Sequence, residues 1–480
     1  KEKTYQAWYG VTEEDLHLNR KVNYAGTERP GSPYDNETDN YQQDHYQLFY
    51  NHQLGSSLTF QTALYYTAGK GYYEQYKADQ FFSRYQLTDV VTSVDTIRKT
   101  DLIRQLWLDN QLIGQTFSVL YKKKTATVTL GGGWNTYHGH HFGEVIWATL
   151  GIPDHYRWYD LKAVKTDLNL YTKYQQTLGK GWEAFAELQF RKVDYRIDGF
   201  RDNPGLRINV SYPFLNPKLG FSYTQHQTRW YLSYAVGQKE PNRDDFEANP
   251  QQQPLPEFLH DWEAGVEHKS RTFFWSVGGY FMNYRNQLVL TGKINDVGAY
   301  TRTNIRKSYR LGAEVQGTLT LTPWLKCSGN ITVSDNRIVA LTEYIDDYDA
   351  GGQKDFYYHR SQLAFSPAVT SNLSLAVQPF AKAQLTWNSS YTSRQYLDNT
   401  ARRNRSLDPY WVQDVQFRYR IPVKFCKEWS VVLQVNNLFD TRYESNGYTY
   451  SYWAGGTLNT ANYYYPMAGR HVLAALNFTW

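Results

Sequence analysis

The sequence predicts an all-β protein, a transmembrane antiparallel barrel whose strands run up and down in chain order. Three observations carry that reading. The first is composition: the mean hydropathy is −0.66 and no apolar run reaches the roughly 18 residues of a membrane helix. Yet 17 % of the chain is aromatic, with 43 Tyr, 23 Phe and 15 Trp. A polar average crowded with Tyr and Trp suits strands with one face on lipid, one on a wet lumen, and aromatic girdles at both interfaces. The second is alternation of apolar and polar residues with period two. The third is that short and long connections alternate along the chain.

The alternation recurs from end to end. Ala126, Val128, Leu130, Gly132 and Trp134 would share one face of a strand, against Thr125, Thr127, Thr129, Gly131 and Gly133. Trp182, Ala184, Ala186, Leu188 and Phe190 oppose Glu183, Phe185, Glu187, Gln189 and Arg191, and Trp429 to Val435 alternates with Ser430 to Asn436. The chain ends on Val472, Ala474, Leu476, Phe478 and Trp480 against His471, Leu473, Ala475, Asn477 and Thr479. This is the signal of a half-buried strand, and helical spacing with caps is nowhere convincing.

Short connections fall at LGSS from Leu54, YKKKT from Tyr121, LGKG from Leu178, QHQT from Gln225, LTPW from Leu321, QPFAK from Gln378 and VKFCKE from Val423. Between them lie long polar, aromatic-rich stretches around 72–101, 135–161, 239–257, 341–357 and 443–463. Tight turns at one end and long loops at the other define an up-and-down barrel, whereas a soluble sandwich has no reason to sort its loops in this way. At roughly 10 membrane residues per strand the count comes to about 17 strands. Residues 1–43 read as part of a long outer loop, the first ordered strand as starting near His45 to Gln53, and Trp480 as ending a descending strand. A chain that starts outside and ends inside has an odd count.

The two cysteines, Cys327 and Cys426, lie by turns of different hairpins several strands apart, too far for a disulfide. A net charge of +5 on 480 residues names no partner and gives no reason to expect nucleic acid. Lys1 to Tyr9 is charged and aromatic and lacks the apolar centre of a signal peptide. No Ser nucleophile elbow, phosphate-binding Gly loop, Cys-x-x-Cys pair or H-E-x-x-H helix occurs. The expectation is a protein that is not an enzyme and needs no cofactor or resident metal.

Toward the C-terminus, NNLFDTRYESNGY (Asn436 to Tyr448) resembles the penultimate-strand motif of TonB-dependent outer-membrane receptors. YYYPMAGRHVLAALNFTW (Tyr463 to Trp480) resembles their last strand, with Pro466, Gly469, Arg470 and the terminal aromatic matching. GQKEPNRDDF (Gly237 to Phe246), PLPEFLHDWEAGVEH (Pro254 to His268) and NIRKSYRLGAEV (Asn304 to Val315) are similar to further segments of the family, in the style of iron-complex receptors of Bacteroidetes. The resemblance implies a barrel of about 22 strands with an N-terminal plug, of which residues 1–480 would supply about 17 strands, without the plug and the first strands. Strands 45–53 and 471–480 would then not pair with each other.

Candidate ligand residues cluster in the outer stretches. YHGHHFGEVIW offers His138, His140, His141 and Trp147 for an iron chelate or haem, or else a solvated loop packed on aromatics, since a metal site needs convergent ligands. Haem is disfavoured, because Asn216-Pro217-Lys218-Leu219 only superficially matches a haem-receptor motif and Lys239-Glu240-Pro241 stands where another is expected. NTARRNRSLD offers Arg402, Arg403 and Arg405, guanidinium groups suited to anionic chelates or to lipopolysaccharide. PDHYRWYD offers Tyr156, Arg157, Trp158 and Tyr159, an aromatic and cationic cluster. YTYSYW (Tyr448 to Trp453) reads as loop packing or girdle.

The resemblance therefore implies a multi-pass protein of the outer membrane that takes up a scarce ligand, foremost a ferric siderophore or similar iron complex, by TonB-energised transport. Its partners would be outer-membrane lipid and lipopolysaccharide, the TonB complex through the plug, the small iron chelate, and a surface lipoprotein. The rival readings are a porin-like passive channel and an importer of cobalamin, haem, peptide or glycan.

Overall fold

The computed structural model describes residues 1–250, 252–294, 300–423 and 427–479. Seventeen strands form the wall: β1 (Thr38–Leu54), β2 (Leu58–Phe81), β3 (Lys99–Lys123), β4 (Ala126–Ala148), β5 (Tyr156–Gly179), β6 (Trp182–Asp198), β7 (Arg207–Gln225), β8 (Thr228–Lys239), β9 (Glu257–Lys269), β10 (Phe273–Ile294), β11 (Tyr300–Thr322), β12 (Leu325–Asp347), β13 (Val369–Phe380), β14 (Ala383–Thr392), β15 (Tyr410–Ile421), β16 (Glu428–Asn436) and β17 (His471–Thr479). Each pairs antiparallel with the next along the chain. The strand count expected from the sequence is met. Among the described residues no helix exceeds six residues, and no helix is long and apolar enough to cross a membrane.

The turns at one end are two or three residues long from β1 to β14, and include the six of the expected short connections that lie fully within the described residues. A further turn at 270–272 carries no Gly or Pro signal; the Ser270 hydroxyl replaces it, donating to the Phe273 carbonyl and accepting from its N–H at 2.9 and 3.1 Å. The stretches read as long loops are largely strand. β3 runs 25 residues, about 80 Å at roughly 3.3 Å per residue, so the wall rises far beyond the roughly 10 residues a bilayer needs. Outside the bilayer the outer face of a strand meets water, while inward residues such as Val193 and Ile197 pack beneath loops, so the lipid-facing apolar row ends there. Only 149–155 of the span 135–161 is connection.

Side-chain exposure follows the alternation. Leu130 and Trp134 stand 53 % and 40 % exposed, and Leu188, Phe190, Leu433, Leu476 and Phe478 are exposed in the same sense. Trp429 stacks on Phe478 at 5.4 Å, which puts the apolar rows of β16 and β17 on one face. The opposite face of β6 carries Arg191, bonded to Asp167 and Glu240. Cys327 is a free thiol on β12, while Cys426 and Trp480 lie outside the described residues.

The motif Asn437 to Asp440 holds the last strand in place. Asn437 and Asp440 both have left-handed backbone, with φ of 49° and 56°. The Asn437 amide donates to the carbonyls of Thr441 and Ala468, and the Asp440 carboxylate accepts the Arg470 N–H at 2.7 Å. A Cβ on Gly469 would lie 2.5 Å from that carboxylate oxygen, so a side chain there would have to displace the Asp440 carboxylate. Asp440→Ala should lower stability by about 1–2 kcal/mol and speed hydrogen exchange at the start of β17. Unchanged exchange at Arg470 and His471 would refute that role.

The wall does not close on itself. β17 pairs with β16 alone, and residues 42–54 of β1 pair with β2 alone, among the described residues. From Gln43 to Leu54 every residue of β1 is exposed, as is all of β17. Among the described residues the gap is bridged only at the long-loop end. There Glu2–Tyr5 pairs with the top of β1, and Val11–Thr12 pairs with Tyr463–Tyr464.

Candidate ligand-binding vestibule

Loops at the long-connection end fold over the opening. A hairpin of Glu444–Ala454 and Thr457–Pro466 lies across it and joins β12 through Asp346 and Asp347, paired parallel with Tyr452 and Trp453. The Asp349 carboxylate accepts the N–H groups of Gly455 and Gly456 at the hairpin tip, both at 2.8 Å. Tyr448 stacks on Tyr463 at 4.8 Å, and the Tyr348 and Tyr450 hydroxyls meet at 3.0 Å. The aromatic run Tyr448 to Trp453 is packed into this roof.

Beneath it a six-residue helix, α1 (Arg243–Ala248), separates two cavities. The sequence builds the helix locally and then anchors it. Asn242 and Asp245 form a reciprocal capping box, at 2.9 and 2.7 Å, which satisfies two N–H groups that a helix start leaves unpaired. Asp245 also takes a two-pronged bond from Arg302 on β11, at 2.8 and 2.6 Å. Phe246 is buried in an apolar cluster with Val193, Ile197, Phe200 and Ile208. Just before it, Glu240 ties Lys165 to Arg191, each at 2.8 Å. Burial would raise the Glu240 pKa, but Lys165 and Arg191 outweigh it and hold the carboxyl below its usual range. The segment Glu240 to Phe246 is thus a partition fixed by charge, cap and core.

On the first side of α1, a cavity of about 550 Å³ is lined by Tyr41, Tyr73, Trp107, His141, Tyr159, Arg201 and Arg243 among others. On the second, a cavity of about 630 Å³ is bounded by the tops of β10–β12, the loop 398–405 and the roof hairpin. Its wall carries Thr, Ser, Asn and Gln side chains with Lys293, Arg302, Glu343, Asp398 and Arg405.

The candidate residues distribute unevenly over this geometry. His138, His140 and His141 sit in the upper half of β4, where alternation sends neighbours to opposite faces. His140 bonds Asp160 at 2.7 Å, His138 is exposed, and only His141 lines the first cavity. The three imidazoles do not converge, and no group of three metal-ligating side chains occurs among the described residues. Trp147 stacks on Tyr76 at 6.4 Å. Trp158 is buried against Tyr85, in a cluster on which Tyr156 packs. Arg157 lies over Phe142 and is bonded to Glu144 and Asp160. Arg402 lies over Phe356 and Tyr358, and Arg403 is exposed. Arg405 is different: it is 1 % exposed, lines the second cavity, and pairs with Asp398 at 2.7 Å and with Glu343.

Burial first, then Arg243 and the neighbouring His140, bring the His141 pKa from 6.5 down to about 4. The ring is neutral in the folded protein at pH 5 to 8, and the unfolded chain binds the proton first as pH falls. The stability it contributes is complete above pH 6.5 and is lost as pH drops toward 4, on the order of 3 kcal/mol. Histidine-selective NMR should give His141 a midpoint near pH 4; an ordinary midpoint would contradict its burial.

Sequence reasoning passed over Glu240, Asn242, Asp245 and Arg302 as functional residues, although the Asn-x-x-Asp spacing ahead of Phe246 was a helix-start signal.

A wall of antiparallel strands with apolar outer rows, tight turns at one end and a roofed vestibule at the other defines a β-barrel of the outer-membrane type. The family model described as TonB dependent receptor-like, beta-barrel, matches residues 3–438, and the chain belongs to that family. Among solved structures it is similar to the ferric-catecholate import receptor Fiu from E. coli K12, at 14 % identity and a TM-score of 0.61, covering 98 % of this chain and 68 % of that one. It is likewise similar to the siderophore receptor PiuA from Acinetobacter baumannii, at 13 % identity and 0.64, over 98 % of this chain and 69 % of that one. The pyoverdine outer membrane receptor FpvA from Pseudomonas aeruginosa follows at 15 % and 0.56, over 88 % and 61 %. At such identities the likeness is one of fold, and the chain spans about two thirds of each structure's length. No curated protein sequence matches significantly.

Proposed function

We propose that this chain forms most of the barrel and the outer vestibule of a multi-pass outer-membrane receptor. It would import a scarce iron complex, most simply a ferric siderophore, with energy delivered through TonB. The observation that carries the reading is the family match over residues 3–438, joined to a vestibule whose cavities lie at the long-loop end, where an incoming ligand would first meet the protein. Arg405, His141 and Tyr159 are the three sequence candidates that line a cavity, and they are the proposed ligand-side residues. Trp158 and Arg157 act in this reading by holding the rim together.

A passive channel fits poorly with a mouth crossed by the hairpin 444–466 and the N-terminal pairing at Tyr463–Tyr464. Haem fits poorly with imidazoles on opposite faces of β4. Lipopolysaccharide, the TonB complex and a surface lipoprotein are the proposed partners. Growth of the native bacterium on single ferric siderophores, with and without the gene, tests the reading: loss of growth on at least one complex is expected. Undiminished growth on every complex, with loss of uptake of a peptide or glycan, would replace it.

A further inference from the structure

We infer that the second cavity, the one walled by β10–β12 and the loop 398–405, selects an iron complex of zero net charge over a strongly anionic one, and that Glu343 and Asp398 set this preference by neutralising Arg405. The inference rests on the proposed uptake of an iron complex and narrows it.

Three cationic side chains line the cavity: Lys293, Arg302 and Arg405. Arg302 is already matched two-pronged by the buried Asp245. Arg405 is flanked by two carboxylates, Asp398 and Glu343, themselves only 6 % and 16 % exposed. Among the described residues the cavity therefore has as many carboxylates as cations at or behind its wall. A guanidinium with two carboxylates already beside it offers little attraction to a third anion, and those carboxylates repel it.

What the wall does offer is neutral hydrogen bonding. Hydroxyls of Thr301, Thr342, Thr400, Thr449 and Ser451 line it, with the Asn399 amide. Those of Thr301, Thr400, Thr449 and Ser451 already bond within the protein, as does Asn399, and have chiefly lone pairs left to offer. Arg405 adds a specific demand. Its Nε and one terminal nitrogen are buried and have no partner, while the other terminal nitrogen serves both carboxylates. The two unpartnered nitrogens of this buried planar fork call for oxygen acceptors, because leaving such donors unsatisfied is costly, and the carboxylates beside them favour neutral carbonyl or hydroxyl oxygens.

A ferric ion wrapped by three singly charged oxygen chelators, as in a tris-hydroxamate, has no net charge and presents the oxygen edges of its chelating groups. A tris-catecholate of the same metal is triply negative. The cavity's about 630 Å³ lies within the range of ordinary small-ligand sites.

The complete receptor, purified in detergent, should be titrated with gallium tris-hydroxamate and gallium tris-catecholate as redox-inert probes. The neutral complex is expected to bind at least about tenfold more tightly, a difference of the size that one uncompensated charge produces. Glu343→Gln should reduce or reverse that ratio by strengthening the anionic complex, and Asp398→Asn is a second route to the same shift should the first variant fold poorly. Tighter or equal binding of the tris-catecholate by the native protein overturns the inference and leaves iron uptake standing. Binding of neither complex overturns the charge preference, and the growth test on single ferric siderophores then decides the iron reading separately. A native preference for the neutral complex that both folded variants retain would show that Glu343 and Asp398 do not set it.

Discussion

Replacing Arg405 with methionine should loosen the outer end of the barrel by about 3–5 kcal/mol, the usual cost of removing one partner from a buried ion pair. Arg405 is 1 % exposed and holds Asp398 and Glu343 together. Without it two carboxylates would remain within a few ångströms of each other in a desolvated wall. Glu343 keeps one donor, the Tyr358 hydroxyl at 2.8 Å, and Asp398 keeps the Thr400 hydroxyl and N–H. Those bonds soften the loss without replacing the charge. The effect should be local, because the wall strands below are held by their own ladders. Hydrogen exchange and limited proteolysis should therefore speed up in the loop 393–409 and spare β13 and β14. Adding Asp398→Asn to the methionine variant should recover part of the loss, since one stranded charge is then gone. An effect below about 1 kcal/mol would mark the pair as no better than a surface salt bridge.

The contrast between wall and vestibule explains what the sequence disclosed. Leu130, Trp134, Leu188 and Phe190 repeat every second residue because a bilayer must cover one face of each strand. That constraint is local, so strand positions, the tight turns and the count of seventeen were legible. The turn at Ser270 carries none of the usual Gly or Pro signals because one hydroxyl bonds the backbone in their stead. Above the bilayer the constraint lapses, and β3, β4 and β5 continue through stretches that read as loop. The period-two rule still held there, and applied to His140 and His141 it would have separated them onto opposite faces. The vestibule was illegible for a different reason. Arg302 meets Asp245 across 57 residues and Arg405 meets Glu343 across 62, and neither pairing leaves a local pattern. Arg402, Arg403 and Arg405 look alike in sequence. Only the fold distinguishes one stacked on aromatics, one in solvent and one buried with two carboxylates.

Residues 1–480 produced by themselves, with an export signal added, should not yield a stable transporting barrel. The expectation follows from the two edges of the sheet. In the hydrocarbon region each backbone N–H and C=O needs a partner within the protein, since none is available from lipid and each orphan costs several kcal/mol. Every strand from β2 to β16 has a neighbour on both sides, whereas β17 and residues 42–54 of β1 have one each. The pairing of Glu2–Tyr5 with β1 and of Val11–Thr12 with Tyr463–Tyr464 bridges the gap only at the long-loop end, above the span that lipid would contact. About ten membrane residues on each edge strand would leave several unsatisfied groups apiece, a penalty that exceeds the net stability of an ordinary domain. The exposed edges also invite pairing with other chains. The segment should accordingly be degraded, or be recovered as aggregate that shows no heat-dependent shift in gel mobility and no uptake. A chain that supplies strands to both edges should restore the shift. A protease-resistant, heat-modifiable monomer from residues 1–480 alone would mean that β1 and β17 can pair directly in a narrower barrel, and would bring the passive channel back into contention.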